Sequence, residues 1–342
     1  MKKTAVVILN YNGKNFLEKF LPGVILNSGD ASIIVADNYS TDNSVSFLKS
    51  HFPQVEIIQN SENGGFAKGY NDALKQVEAE YYVLLNSDIE VTENWLNPCI
   101  ELMDNDKTIA AVQPKILAYH DKTKFEHAGA AGGFLDKDFY PFCQGRIFEN
   151  IEEDRGQYNE NREIFWATGA CMFVRSKLYH EAEGLDNSFF AHMEEIDLCW
   201  RLKSKGHKIY YCAASHIYHV GGGTLNYMNP KKTYLNFRNS LYMITKNYQG
   251  ILFFKIFKRL CLDGIAASLF LIKFQFRHFG AVFKAHMSYY GELSTLLKKR
   301  RSLKHSKEQF NTAGLYKRNI VFKKFLGGVK TFGDLNSTDF YK

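Results

Sequence analysis

The sequence predicts an α/β fold with a mainly parallel sheet and helices on both of its faces. Three observations carry this expectation. Short apolar runs alternate with helical patterns four times before residue 105, which is the signature of successive βα units. Cap residues stand where those helices would begin, Ser40 or Thr41 in one case and Thr92, followed by Trp95, in another. The composition, 45% hydrophobic and 23% charged over 342 residues, supplies a core for one large domain or two smaller ones.

Taken in order, "TAVVILNYN" reads as the first strand and "GKNFLEKFLPGVIL" as its helix. The opening is read as a strand and not as a signal peptide, because its apolar run breaks at Asn10 and no small-residue cleavage site follows. "SIIVADN" with "STDNSVSFLKSHF", "VEIIQN" with "GFAKGYNDALKQV", and "YYVLLNSD" with "TENWLNPCIELM" complete four units. Further apolar segments cover Ile109–Leu117, Ile164–Val174 and Lys208–Ala213, with a helix over Glu194–Lys205. Tyr119 to Asn161, with "HAGAAGGF" and "FENIEEDRGQYNENRE", reads as loops. Beyond Lys231 the composition turns to Phe, Leu, Ile, Lys and Arg, so a helical region over 231–342 is expected to follow a domain over 1–230.

The net charge of +7 is unevenly spread: −10 for residues 1–230, +13 for 231–310 and +4 for 311–342. In "GILFFKIFKRLCLDGIAASLFLIKFQFRHFGAVFKAHMSYY" the longest clean apolar run is Ile265–Ile272, far short of the roughly 20 residues needed to span a bilayer. Lys255, Lys258, Arg259, Lys273, Arg277 and Lys284 interrupt it. A basic amphipathic helix lying on an anionic membrane surface is the expectation; a packed helical subdomain with a solvated basic face is the alternative. Nucleic acid is not an expected partner, since no zinc, RRM or helix-turn-helix signature accompanies the basic residues. The six cysteines form no C-x-x-C pair, which suggests neither a disulfide framework nor a zinc site and fits a reducing cytosol.

Two nucleotide signatures fail. The place of G-x-G-x-x-G after the first strand holds "NYNGKN", and no P-loop occurs. The predicted strands end instead on polar residues: Asn10 and Asn12, Asp37 and Asn38, Asn86 and Asp88. Each alone can be a turn residue; together, at the carboxyl edge of one sheet, they describe a polar crevice. Gly64 and Gly65 lead into a helix whose first N–H groups could meet a phosphate, or form a plain glycine turn. Glu194, Asp197 and Arg201 share one helix face by spacing, with Glu195 beside them; an acidic helix start with an internal ion pair would explain them without function. His216 and His219 precede three glycines, where imidazole and carboxylate together suit Mn²⁺ or Mg²⁺.

These blocks, in order, resemble a family: the inverting family 2 glycosyltransferases with the GT-A fold, of the rhamnosyltransferase-like kind that builds bacterial surface polysaccharides. The resemblance runs from about Val6 to Leu241 through "VVILNYNG", "VADNYSTDNS", "NGGFAKGYNDAL", "LLNSDIEV", "ATGACMFVRS", "EGLDNSFFAHMEEIDLCWRLKSKGHKIYY", "HIYHVGGGT" and "YLNFRNSLYM". It implies that Asn10 and Asp37, within the crevice that also holds Asn12 and Asn38, bind the nucleotide of a nucleotide-diphospho-sugar donor. Gly65 and Asn71 would contact the nucleotide and diphosphate. "NSD" stands where the family carries D-x-D, so Asp88, with Asn86 in place of the first Asp, would hold Mg²⁺ or Mn²⁺ on the diphosphate. His219 would be a further metal or diphosphate ligand, and Gly169 and Ala170 would lie on the acceptor side of the sugar site. "EEIDL" places the general base on Glu195, with Glu194 as the alternative register and Asp197 as the third acid of the catalytic group, where with Arg201 it would fix that helix start. The implied reaction transfers a sugar to a hydroxyl of a glycan or polyprenyl-diphosphate-linked acceptor, at the inner face of a bacterial cytoplasmic membrane, by a single displacement that needs no second nucleophilic carboxylate. A catalytically silent relative serving as a binding subunit of an assembly complex is the alternative, prompted by Asn86 and Glu195 where Asp is usual.

Overall fold

A computed structural model describes residues 2–221, 229–303 and 309–341. The chain opens β1 (Lys2–Asn10), α1 (Lys14–Asn27), β2 (Ser32–Asp37), α2 (Ser44–His51), β3 (Glu56–Gln59), α3 (Gly65–Leu74) and β4 (Ala79–Asn86), the predicted βα succession. β5 (Ile89–Val91), α4 (Asn97–Asn105) and β6 (Ile109–Ala118) come after it. Strands β1, β2, β3 and β4 pair in parallel, in the spatial order 3-2-1-4. Their apolar runs are continuous because both faces are covered. Val7, Ile34, Tyr82 and Leu84 enter one core with Ala67, Tyr70 and Leu74 of α3. Their neighbours Val6, Ile8, Val35, Val83 and Leu85 turn to the other core, with Leu17 and Leu21 of α1 and Met103 of α4, as the two-residue period of a strand requires.

The stretch 119–161, expected as loops, contains a second sheet built from β7 (Gly133–Asp136), β8 (Pro141–Cys143), β9 (Arg146–Ile147) and β10 (Asn150–Ile151). Strands of two to four residues are too short to display a period, which is why the sequence pattern does not reveal them. The segment 164–174 is divided between β11 (Arg162–Ile164) and β12 (Cys171–Arg175). β12 runs antiparallel between β4 and β6, so the large sheet is mixed. α5 (Ser176–Glu181), α6 (Glu194–Lys203) and β13 (Lys208–His219) come next, β13 continuing past the expected Ala213 through a register shift between Cys212 and His216.

Three helices dominate the C-terminal region: α7 (Pro230–Asn247), α8 (Leu252–Ile272) and α9 (Phe276–Ser302). α7 packs on α6, and α9 on α7. The chain then returns to the second sheet, where β14 (Leu315–Tyr316) pairs in parallel with β7, and α10 (Ile320–Phe325) lies beyond it. Phe134 and Phe142 there pack tilted or edge-on against Phe332 and Phe340, so one apolar cluster holds residues from both sides of position 230.

Candidate active site

Strand register creates the site. Asn10 pairs with Asp37 across β1 and β2, and Leu9 with Asn86 across β1 and β4, so the polar strand ends form one row at the carboxyl edge of the sheet, the usual ligand position in an open α/β sheet. Asn10 is fully buried; its Nδ2 donates to Asp37 Oδ1 at 3.0 Å and to Ser40 Oγ at 3.2 Å. Asp37 also accepts the Ser40 N–H. The Asn10 Oδ1 atom is buried without a partner among the described residues, an acceptor that a ligand's donor could satisfy. Asn12, at φ 51°, accepts the N–H groups of Thr41 and Asp42 on its Oδ1. A cleft of about 470 Å³ opens there, between Asn12, Lys14, Asn15, Thr41, Asp42 and Asn43.

The glycine loop has a different task from the expected phosphate cradle. The N–H groups of Phe66 and Ala67 at the start of α3 both bond the carbonyl of Phe190. Gly65, at φ +78°, is needed because a Cβ would stand 2.5 Å from that same oxygen. Asn38 bonds Asn63, Gly65 O and Asn60. Asn71 is likewise spent internally: its Nδ2 donates to Leu185 O and Asn187, and its Oδ1 accepts from Tyr179 and the Leu185 N–H. Asn38, Gly65 and Asn71 thus build the wall behind the crevice, and their polar groups are not turned to a ligand.

Asp88 and His219 do meet. β5 and β13 pair His219 with Ile89, which brings His219 Nε2 to 3.2 Å from Asp88 Oδ1. On the other side Nδ1 lies 3.3 Å from Glu126 Oε2, an ion-pair contact without hydrogen-bond alignment, since that nitrogen has no bonding partner. Burial opposes charge on this imidazole, but Asp88 and Glu126 outweigh it and lift its pKa to about 10. Burial works against charge on Glu126 too, but the His219 imidazolium beside it and the Ala128 N–H hold it at about 2. Sequence reasoning missed Glu126: it sits in "FEHAGAAGG", where one acid in an apparent loop carries no signal. Gly222, Gly223 and Thr224 of the glycine run after His219 lie outside the described residues. His216 faces away from this pair, into a separate cleft with Lys115 and Asp154.

The three acids of α6 have three environments. Asp197 is fully buried and saturated, bonded by Arg201 Nε at 2.9 Å, Lys246 Nζ at 2.9 Å and Asn247 Nδ2 at 2.8 Å. It joins α6 to α7 and does not belong with the catalytic candidates: every oxygen lone pair it could offer a substrate is committed to these partners. Glu194 is buried with Oε2 unpartnered, and burial plus the charge of Glu195 keep its carboxyl protonated far above the ordinary range. Glu195 is partly exposed, with Oε2 also unpartnered, and burial brings its pKa to about 7. Gly169 adjoins it, 3.8 Å from Glu195 Cβ to the place where a glycine Cβ would be, while Ala170 O accepts the Asn86 N–H at 3.0 Å.

The loop that delivers Glu195 carries no sequence signal either. Phe190, His192 and Met193 take φ of 65°, 70° and 73°, strained for residues with side chains. Asn239 of α7, fully buried, donates its Nδ2 to the carbonyls of Phe189, Ala191 and His192 at 3.0, 2.9 and 2.7 Å. Arg238 holds the Asn239 Oδ1 at 2.8 Å and the carbonyls of Ser188 and Phe189. "YLNFRNSLYM" contains these two residues, but nothing local says what a helical Arg-Asn pair will grip.

Residues 5–182, just over half of the chain, match the family model described as glycosyl transferase family 2. The chain belongs to glycosyl transferase family 2. Among curated relatives it is 20% identical over 230 residues to the N-acetylglucosaminyl-diphospho-decaprenol L-rhamnosyltransferase of Mycobacterium tuberculosis, covering 63% of this chain and 75% of that one. It is 22% identical over 222 residues to rhamnosyltransferase WbbL of Escherichia coli, covering 63% and 82%. Among solved structures it superposes on GalNAc-T7 with UDP, GalNAc and Mn²⁺ (TM-score 0.62, 14% identity, 96% of this chain and 57% of that one). It also superposes on a mannosyltransferase of Pyrobaculum calidifontis in complex with GDP-Man and Mn²⁺ (TM-score 0.51, 12% identity, 88% and 84%). The chain spans little more than half of the GalNAc-T7 chain, and these two likenesses concern the fold alone. That fold is GT-A, continued by a helical C-terminal region, and the protein is a glycosyltransferase acting in glycan synthesis.

Proposed function

We propose that the protein transfers a sugar, with inversion, from a nucleotide-diphospho-sugar to a hydroxyl of a lipid-linked glycan at the inner face of a bacterial cytoplasmic membrane, in surface-polysaccharide synthesis. The observation that carries this reading is the row of strand ends: an unpartnered acceptor at Asn10, the Asp88–His219 pair farther along, and Glu195 with a free oxygen on the neighbouring helix. Asn10, Asp37 and the Asn12–Asp42 loop hold the nucleotide. Asp88 and His219 face the diphosphate. Glu195, ionised above pH 7, takes the proton of the acceptor hydroxyl as its oxygen bonds the anomeric carbon and the bond to the diphosphate oxygen breaks. Glu194, protonated, stays out of the proton transfer.

The residues fit a divalent ion. Asp88 Oδ1 and, once the cation's charge displaces the Nε2 proton of the imidazolium, His219 Nε2 offer one oxygen and one nitrogen 3.2 Å apart, and Mg²⁺ or Mn²⁺ takes few protein ligands when substrate phosphate and water complete its shell. No group of three His, Cys, Asp or Glu side chains among the described residues is arranged to hold an ion. When bound, such an ion neutralises charge on the departing diphosphate. The relatives that act on diphospho-decaprenol or carry rhamnose, and the fold neighbours with UDP or GDP-Man and Mn²⁺, support the substrate classes.

A thermal-shift series of UDP-, dTDP- and GDP-sugars with and without Mn²⁺ tests the reading. A true donor at about 100 times its Kd stabilises by about 2.7 kcal/mol, only with metal, and Asp88→Asn removes that shift and the transfer activity, each read against the variant's own donor-free melting temperature, which falls because the buried His219 loses one of its two counter-charges. Full transfer in chelator, or undiminished transfer by Asp88→Asn, overturns the metal-diphosphate assignment. Absence of any donor shift would favour a binding subunit.

A further inference from the structure

We propose that the outer face of the α8–α9 hairpin is the surface on which this protein sits on an anionic lipid membrane, inserted at headgroup depth and not across the bilayer. The proposal rests on the membrane location in the proposed function and specifies what makes the contact.

The inward side of the hairpin is ordinary protein interior. Arg259 and Asp263 form a buried pair at 2.8 Å, and Val282, Ala285 and Tyr289 are buried, with the Tyr289 hydroxyl bonded to Thr245 of α7. The outward side is the anomaly. Ile272, Phe274 and Phe276 at the tip are 72%, 80% and 63% exposed, and Phe253, Phe257 and Phe283 continue the face with more than half of each in solvent. A solvated basic subdomain would present charges there and not its largest aromatics. Apolar surface on this scale marks an interaction site.

Charge selects the occupant. Lys273, Arg277 and Lys284 are exposed among these aromatics, whereas the sole acid between residues 250 and 291 is Asp263, buried against Arg259. A second copy in a two-fold arrangement would set the same three cations against themselves. An anionic leaflet complements both the aromatics and the cations. No helix among the described residues is long and apolar enough to span a bilayer. The hairpin is also tied to the site: Lys299 of α9 bonds Asp186, and α7, on which α9 packs, grips the loop before Glu195. A membrane seat here therefore holds the acceptor side of the active site in a fixed relation to lipid.

The test is flotation of the full chain with vesicles of phosphatidylcholine plus phosphatidylglycerol against phosphatidylcholine alone, at low and high salt. Binding to the mixed vesicles, weakened by salt, is expected. Each cation contributes about a factor of five at an anionic surface, so the Lys273→Ala, Arg277→Ala, Lys284→Ala triple variant should bind about a hundredfold more weakly. An Ile272→Ser, Phe274→Ser, Phe276→Ser variant should abolish retention while melting temperature and donor hydrolysis stay at the parent values. Failure to bind either vesicle, binding indifferent to both variants, or a concentration-dependent dimer dispersed by the apolar variant overturns the proposal. Because flotation uses no donor, and donor hydrolysis uses no vesicle, failure of the membrane seat and failure of the transferase reading are separately visible.

Discussion

Replacing Glu195 by Gln should destroy transfer and stabilise the protein, and the combination is what makes the substitution informative. The native carboxyl has a pKa of about 7 against an ordinary 4.5, with burial as the first cause. An acid that holds its proton more tightly when folded loses stability as pH rises from its unfolded to its native pKa, here from about 4.5 to about 7, and the loss persists above that. At about 1.4 kcal/mol per pH unit the gap amounts to roughly 3 kcal/mol, reduced by the partial exposure of the side chain to something like 1–3 kcal/mol. Gln removes this penalty, so at pH 8 the variant should unfold at higher denaturant than the parent, and the difference should vanish near pH 4. Transfer should fall by about 10² to 10⁴ with donor affinity retained, and the parent kcat/KM should rise with pH to a plateau above about 7. Glu194→Gln replaces an already protonated acid and should be mild in both assays. Loss of transfer by Glu194→Gln with Glu195→Gln active would shift the base by one residue. Retention by both would remove the base from this helix, and a destabilised Glu195→Gln at pH 8 would refute the burial argument itself.

Asp197→Ala should cost about 3–5 kcal/mol of stability, because Arg201 remains buried without its carboxylate and Lys246 keeps only Asp186; a denaturant midpoint unchanged from the parent, with transfer lost, would return Asp197 to the catalytic group. Asn239→Ala leaves the carbonyls of Phe189, Ala191 and His192 without their shared donor and should cost about 1–3 kcal/mol. If Asn239 positions Glu195, kcat should fall while donor affinity by calorimetry is unmoved; an unchanged kcat would leave it a structural residue only.

How much of the fold and the site is legible in the sequence depends on whether a residue's partner is local. The strands β1, β2 and β4 are legible because each is an uninterrupted apolar run closed by Asn or Asp, and their register then follows from burying both faces. The second sheet is not, because β7 finds its outer partner in β14, some 180 residues away, and neither strand is long enough to show a period. Gly65 announces that something approaches the backbone closely, but a glycine cannot say what; it is the Phe190 carbonyl and not a phosphate. Glu126 acquires meaning only when β13 lays His219 beside it.

The acids of α6 show where a spacing argument suffices once one fact of packing is added. Positions 194, 197 and 201 lie on one face of a helix because three and four residues complete a turn. That face alone does not say whether it points to substrate or to interior. α7 decides it, by presenting Lys246 and Asn247 to Asp197 and closing the face. Glu194, on the closed side but without a cation of its own, can persist there only as the neutral acid. Glu195 is about a hundred degrees around the helix from Glu194, off the closed face and beside Gly169, whose missing side chain lets Phe66 and Glu195 pack against the backbone there. In the proposed mechanism it is therefore the acid that ionises near neutral pH and reaches the acceptor. A Glu in place of the expected Asp extends that reach by one methylene, which predicts that Glu195→Asp, keeping the charge and withdrawing the carboxylate, lowers kcat while leaving donor affinity and the pH of half-maximal transfer nearly unchanged. A Glu195→Asp variant with parental kcat would show that the length of this side chain plays no part in placing the base.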